Sequence, residues 1–269
     1  MQLIQCERCG LVFLWPRPTW KQLAQFYPES YYKGTPDPGL ADCLKRAIES
    51  KKRGIVVVPG GRLLDVGCGN GDFMMQAEGL GMRAFGLEPS VSGFQICKFR
   101  GLNVTNSFLE DSGYAEDSFD VITLNHVLEH VPDPYSSLLL IGRLLRPSGI
   151  LIIQVPNLKS LAFYASREYF SHLDVPRHLF QFEKSTLEGF LNRAGLRVIR
   201  IRYYTYATSL LASLWLRSRG NVPVSTRCAS VSKRNKLVFA LVELVFTPFE
   251  LLLNTLGLGD VIEVYASRT

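Results

Sequence analysis

From residue 62 onward, short apolar runs alternate with stretches whose apolar positions recur every three or four residues. Strand-like runs lie at 63–66, 83–87, 103–105, 119–124, 150–155 and 198–204. Helical spacing separates them, near 72–80, 90–100, 134–145 and 185–194. The last of these opens with Ser185-Thr-Leu-Glu188, the spacing of a capping box. Alternation of this kind predicts a parallel, doubly wound α/β sheet of the Rossmann type. A last strand-like run at 261–266, expected to be antiparallel, follows a helical insertion at roughly 207–256. Residues 1–55 differ in character. They hold a cysteine pair, an aromatic and proline-rich stretch in which Thr19 is placed to cap a short helix at 20–27, and a helical segment near 40–53. The expected division is therefore an N-terminal segment (1–55), a core (56–206), a helical insertion or cap (207–256) and a last core strand (257–269).

The insertion contains the most apolar stretch, 237–259, but Glu243, Pro248, Glu250 and Asn254 interrupt it, and a span needs ~20 apolar residues. Glu243, Thr247, Glu250 and Asn254 fall on one helical stripe with apolar residues elsewhere. A helix packed in protein on most sides fits this best. A helix lying in a membrane interface, flanked by Lys233, Arg234 and Lys236, is the alternative that its acidic stripe disfavours, and dimerisation is the third.

Composition narrows the class. Hydrophobic residues make up 47% and charged residues 20% of 269, which excludes disordered, collagen-like and coiled-coil chains. The net charge is +6, and residues 190–269, with eleven basic and four acidic side chains, carry +7 by themselves. No dense basic tract with interleaved aromatics accompanies that bias, so nucleic acid is not an expected partner. Six cysteines in a chain of this size do not form a disulfide framework. Cys6, Glu7, Arg8 and Cys9 stand where a signal peptide would be apolar, and the expected location is cytoplasmic. Nothing in the sequence fixes an oligomeric state.

The chemistry concentrates where the first core strand should turn into a helix, at Leu63-Leu-Asp65-Val-Gly67-Cys68-Gly69-Asn-Gly71-Asp. Alternating glycines let the backbone approach a ligand, and the following helix offers its N-terminal N–H groups. The spacing is G-x-G-x-G with an acid two residues earlier, not the G-x-G-x-x-G of dinucleotide folds, so a nicotinamide-dependent oxidoreductase is the weaker enzyme reading. Gly86-Leu-Glu88-Pro89 ends the next strand, and an acid there can accept both hydroxyls of a ribose.

These residues resemble the class I S-adenosylmethionine-dependent methyltransferases. Ser118-Phe-Asp120 through His126-Val-Leu-Glu129-His130 and Leu145-Arg-Pro-Ser-Gly149 agree with that family. The chain is most similar to its small-molecule group, related to ubiquinone-biosynthesis and sugar methyltransferases, whose pattern includes Asp174-Val-Pro-Arg177-His178. The resemblance implies S-adenosylmethionine as cofactor. It places Asp65 with Gly67, Cys68, Gly69 and Gly71 at the methionine part, Glu88 and Pro89 at the ribose, and Asn125 and His126 along the cofactor toward the substrate. Where the family often has an acid for adenine, this chain reads Ser107-Phe108-Leu109; a backbone N–H or stacking on Phe108 is expected instead.

Methyl transfer needs in-line positioning above all, and a base only where the acceptor carries a proton that must leave. His178, His126 and His172 are the candidates for that base, in that order, with His130 behind them; Arg177 suits an anionic substrate or a salt bridge, and Glu129 is read as structural. The expected activity is methylation, O-methylation first, of a small-molecule acceptor that is sugar-like or quinone- and lipid-like, with segment 156–182 and the insertion covering it. A cofactor-binding protein without turnover is the reading from a different class. Finally, Cys6-Glu-Arg-Cys9-Gly10 offers two thiolates at zinc spacing, and the resemblance implies half of a zinc ribbon, whether truncated, decayed or completed by another chain; with no second pair following, no metal is expected.

Overall fold

A computed structural model describes residues 1–19, 22–23, 25–26, 56–205, 207–220 and 236–269. The expected helix near 40–53, most of that at 20–27, and Cys43, Cys228, Lys233 and Arg234 lie outside them. The chain forms two compact units.

The larger unit comprises Tyr27–Gln154, Glu188–Ile201 and Val264–Thr269 and holds the body of a seven-stranded sheet. Its elements in chain order are β3 (Arg62–Val66), α1 (Asp72–Gly79), β4 (Arg83–Leu87), α2 (Val91–Phe99), β5 (Val104–Thr105), β6 (Phe119–Asn125), α3 (Pro134–Leu144), β7 (Leu145–Pro156), α5 (Lys184–Arg193), β9 (Leu196–Tyr204) and β10 (Val261–Arg268). The strand order is β5-β4-β3-β6-β7-β10-β9. The β4–β5, β3–β4, β3–β6 and β6–β7 pairs are parallel, and the last pair runs antiparallel. Leu63, Leu64, Val121, Ile122 and Leu124 are fully buried, as central parallel strands covered on both faces require. Met74, Ala77 and Cys97 from the helices pack with Leu63, Val121 and Ile152 in one apolar cluster. Asp133 caps α3, its Oδ1 accepting the N–H groups of Tyr135 and Ser136 at 3.1 Å, with Pro134 in the first turn where no N–H is needed.

Two sequence expectations need correction. The strand expected at 150–155 begins at Leu145, because Leu145 already pairs with Phe119; a register shift before the Val121–Ile150 pair accommodates Pro147, which has no N–H to give the ladder. Ser185 does not cap α5, which begins at Lys184. Glu183 does: its carbonyl accepts the Leu187 N–H at 3.0 Å and its own N–H donates to Thr186 Oγ1 at 3.1 Å, while Ser185 Oγ donates to the Glu183 carboxylate.

The smaller unit comprises Met1–Phe26, Val155–Leu187 and Arg202–Glu263. Here β1 (Gln2–Gln5) and β2 (Val12–Trp15) form an antiparallel hairpin, extended by the two-residue β8 (Phe180–Gln181). The hairpin turn carries the cysteine pair: Cys6 N–H donates to Leu11 O and Gly10 N–H to Cys6 O, both 2.8 Å, with Gly10 at φ +77°. Hydrogen bonds from the Cys9 and Arg8 backbone and from the Cys9 thiol hold the Cys6 thiol below its ordinary pKa. Thr19 and Gln22 bond each other as a capping box, Thr19 N–H reaching Gln22 Oε1 at 2.9 Å. Segment 156–182, read as a loop, contains α4 (Leu161–Ser166), capped by Ser160, as well as β8. The insertion forms α6 (Ala207–Ser218) and α7 (Lys236–Thr255). Among the described residues no helix is long and apolar enough to cross a membrane.

Candidate active site

The carboxyl ends of β3, β4, β5 and β6 line up beside the glycine loop. Ligands of open α/β sheets bind outside these ends. Gly67 and Gly71 take φ of +66° and +79°, and a Cβ at Gly71 would come within 2.2 Å of Leu102 Cδ1. Only glycine meets both demands, so the loop stays folded tightly over the start of α1.

Asp65, 2% exposed, ends β3 beside its register partner Thr123 on β6. Thr123 Oγ1 donates to Asp65 Oδ1 at 2.7 Å and Asn125 Nδ2 to the same oxygen at 3.3 Å. Thr123 and Asn125 share a face because strand residues two apart do. Glu88, buried at the end of β4, accepts the Gly69 N–H on Oε2 and the Ser90 N–H on Oε1, each at 2.8 Å. One carboxylate thus ties the glycine loop to the start of α2. The Glu88 and Pro89 carbonyls in turn accept from Asn106 Nδ2, at 2.8 and 3.1 Å.

Cys68 is buried with its Sγ 4.0 Å from Cys97 Sγ, and the Cys97 thiol donates to Gly69 O at 3.3 Å. The Cys97 contact and burial push the Cys68 thiol well up, so it stays neutral in the loop. After β5, the Ser107 hydroxyl is buried with no hydrogen-bond partner among the described residues, and Phe108 beside it is 40% exposed. Glu110, the nearest acid, accepts instead from Ser137 Oγ at 2.8 Å.

His126 follows β6 at φ +56°, a region that costs a non-glycine residue about 1–3 kcal/mol. Its N–H donates to Gln154 O at 3.0 Å, and its Nδ1 lies 3.4 Å from Oε1 of fully buried Glu129. Glu129, read from sequence as a structural group near a helix start, thus faces the His126 ring. Thr123 and Asn106 were not singled out from sequence, and Ser107 was named only as standing in place of an acid. Thr123 was discoverable, since it sits two residues before Asn125 on the same strand face.

His172 and His178 belong to the smaller unit. There His172 packs its ring 5.3 Å from that of Phe170, and His178 Nε2 lies 3.8 Å from Asp174 Oδ2. Arg177 is buried and pairs with the same Asp174 carboxylate.

Residues 37–201 match the family model described as a methyltransferase domain. The ubiquinone biosynthesis O-methyltransferase of Hahella chejuensis is 29% identical over 55% of this chain and 68% of its own length. That of Mesorhizobium japonicum is 31% identical over 60% and 68%. A solved S-adenosylmethionine-dependent methyltransferase from Archaeoglobus fulgidus shares the fold, with a TM-score of 0.54 and 20% identity over 93% of this chain and all of that one. The observed residues fit that cofactor: the buried Ser107 hydroxyl, without a hydrogen-bond partner among the described residues, and the partly exposed Phe108 ring suit a purine, and the Glu88 carboxylate stands just after β4, where a ribose would be met. The chain belongs to the methyltransferase-domain family, and its methyl donor is S-adenosylmethionine.

Proposed function

We propose that the protein transfers a methyl group to a hydroxyl of a small, sugar- or quinone-like molecule, with His126 as the base. The observation that carries this reading is the His126–Glu129 pair. A buried carboxylate facing Nδ1 selects the tautomer with its proton on Nδ1, which leaves Nε2 to accept the hydroxyl proton as oxygen attacks. N- or C-nucleophiles without a departing proton would have no use for such a pair. The names of the two relatives point the same way.

Bound S-adenosylmethionine supplies an electrophilic methyl on a sulfonium centre. Asp65 would face its methionine amine, with Thr123 and Asn125 keeping the carboxylate aimed. Gly67, Cys68, Gly69 and Gly71 supply the close backbone wall, Glu88 and Pro89 the ribose end, and Ser107 and Phe108 the adenine end. Holding donor and hydroxyl in line accounts for most of the acceleration, and the base adds about 10²–10⁴-fold.

The test is a radiolabel transfer assay against catechol, phenol and sugar acceptors. His126→Gln should lower kcat at least 100-fold, abolish the rise of rate with pH and leave cofactor affinity within twofold. If His178→Gln or His172→Gln has that effect while His126→Gln does not, the base is elsewhere. Tight cofactor binding with no transfer to any acceptor would favour a binding protein without turnover.

A further inference from the structure

Helices α6 and α7 are turned the wrong way round for water. On α6 the buried positions are serines. Ser213 Oγ accepts the Ser171 N–H at 3.0 Å, and Ser209 Oγ lies 3.3 Å from Ser171 Oγ. Leu211, Leu214 and Trp215, one face at i, i+3 and i+4, are 40–51% exposed. On α7, Glu250 is buried and Asn254 accepts from Thr205 Oγ1 at 2.8 Å, whereas Leu251, Leu252 and Leu256 are 54–61% exposed. The two helices pack against each other. The sequence reading of 237–259 as a helix packed on most sides is thereby corrected: among the described side chains Glu250, Leu253 and Asn254 face protein, whereas Thr247, Phe249, Leu251, Leu252 and Leu256 are exposed. Soluble proteins rarely expose apolar side chains in such concentration without a partner.

We infer that this helical pair is a docking surface for an anionic lipid bilayer, on which α6 and α7 lie without crossing. Charge selects the occupant. Among the described side chains of 207–256, Arg217 and Arg219 are basic and exposed, and the acid, Glu250, is buried. The acidic stripe that disfavours lipid in sequence is thus partly withdrawn from the surface. Two copies meeting through this face would bring like charges together, whereas an anionic bilayer neutralises them. The Arg219 guanidinium lies 5.2 Å from the centre of the Trp215 ring, pairing an amphipathic ring with a cation as interfacial anchors do. Among the described residues no helix is long and apolar enough to cross a membrane.

The full chain is mixed with vesicles of phosphatidylcholine alone or of phosphatidylcholine and phosphatidylglycerol at 3:1, then floated on a density gradient. Co-flotation with the anionic vesicles is expected, weakening at least tenfold between low and high salt. The double variant Leu251→Glu, Leu252→Glu should lose at least tenfold in partitioning while its far-ultraviolet spectrum and S-adenosylmethionine affinity stay unchanged. Phe99→Glu, at an 82% exposed apolar residue on α2 in the other unit, should float normally. Absence of flotation, equal binding to neutral vesicles, or undiminished binding by the folded double variant would overturn the proposal. So would a dimer in solution, with no vesicle binding, that the same substitutions dissociate.

Discussion

Replacing Glu88 by glutamine removes one negative charge and alters almost no volume. In the native protein the carboxylate accepts two N–H bonds, from Gly69 and Ser90, each at 2.8 Å, and it is 1% exposed. Hydrogen bonds to an ionised group contribute about 1.5–3 kcal/mol each, and a buried donor left unpaired costs about 1–3 kcal/mol. The amide keeps one acceptor oxygen, now neutral, and turns an NH2 group toward the other N–H. Weakening one bond and orphaning the other donor together give a loss of about 3 kcal/mol. Urea unfolding without cofactor reads that loss directly, as a lower midpoint at unchanged slope. Calorimetric titration of the folded variant with S-adenosylmethionine reads the second role. Affinity should fall at least tenfold, or about 1.4 kcal/mol. An unchanged unfolding midpoint would refute the idea that this carboxylate holds the glycine loop. Full affinity in a folded variant would refute the ribose assignment.

Gly71→Ala should destabilise by about 2–4 kcal/mol, since the added methyl meets Leu102 at a φ that side chains avoid; differential scanning calorimetry checks it. Ser107→Ala should leave stability unchanged or higher, because its buried hydroxyl has no hydrogen-bond partner among the described residues, while weakening S-adenosylmethionine binding about three- to tenfold in a calorimetric titration. Asp120 supplies a pH signature. Burial alone would raise its carboxyl, but the Arg62 N–H at 2.7 Å and Arg146 at 2.6 Å outweigh that and hold it below the ordinary value. Its contribution is therefore fully present above the unfolded pKa of about 3.9 and is lost as pH falls through the lower folded value. Asp120→Asn should flatten that part of an acid-unfolding profile, and a profile identical to the native one would count against the pairing.

The glycine loop, Asp65, Glu88 and the order of strands and helices were legible in the sequence because local rules produce them. A β-run followed by alternating glycines and an acid two residues before the turn is specified within about ten residues. Boundaries shifted where a distant strand or a neighbouring hydroxyl intervened, as when Phe119 drew Leu145 into β7 and Thr186 moved the cap of α5 to Glu183. The partners of the site residues depended on tertiary structure. Thr123 meets Asp65 across 58 residues through strand register, and Asn106 reaches the Glu88 and Pro89 carbonyls only because β5 lies beside β4. Helical periodicity located the polar stripe of α7 but not its orientation. Periodicity sets which side chains share a face, whereas burial is decided by what packs there, here Thr205 for α7 and Ser171 for α6.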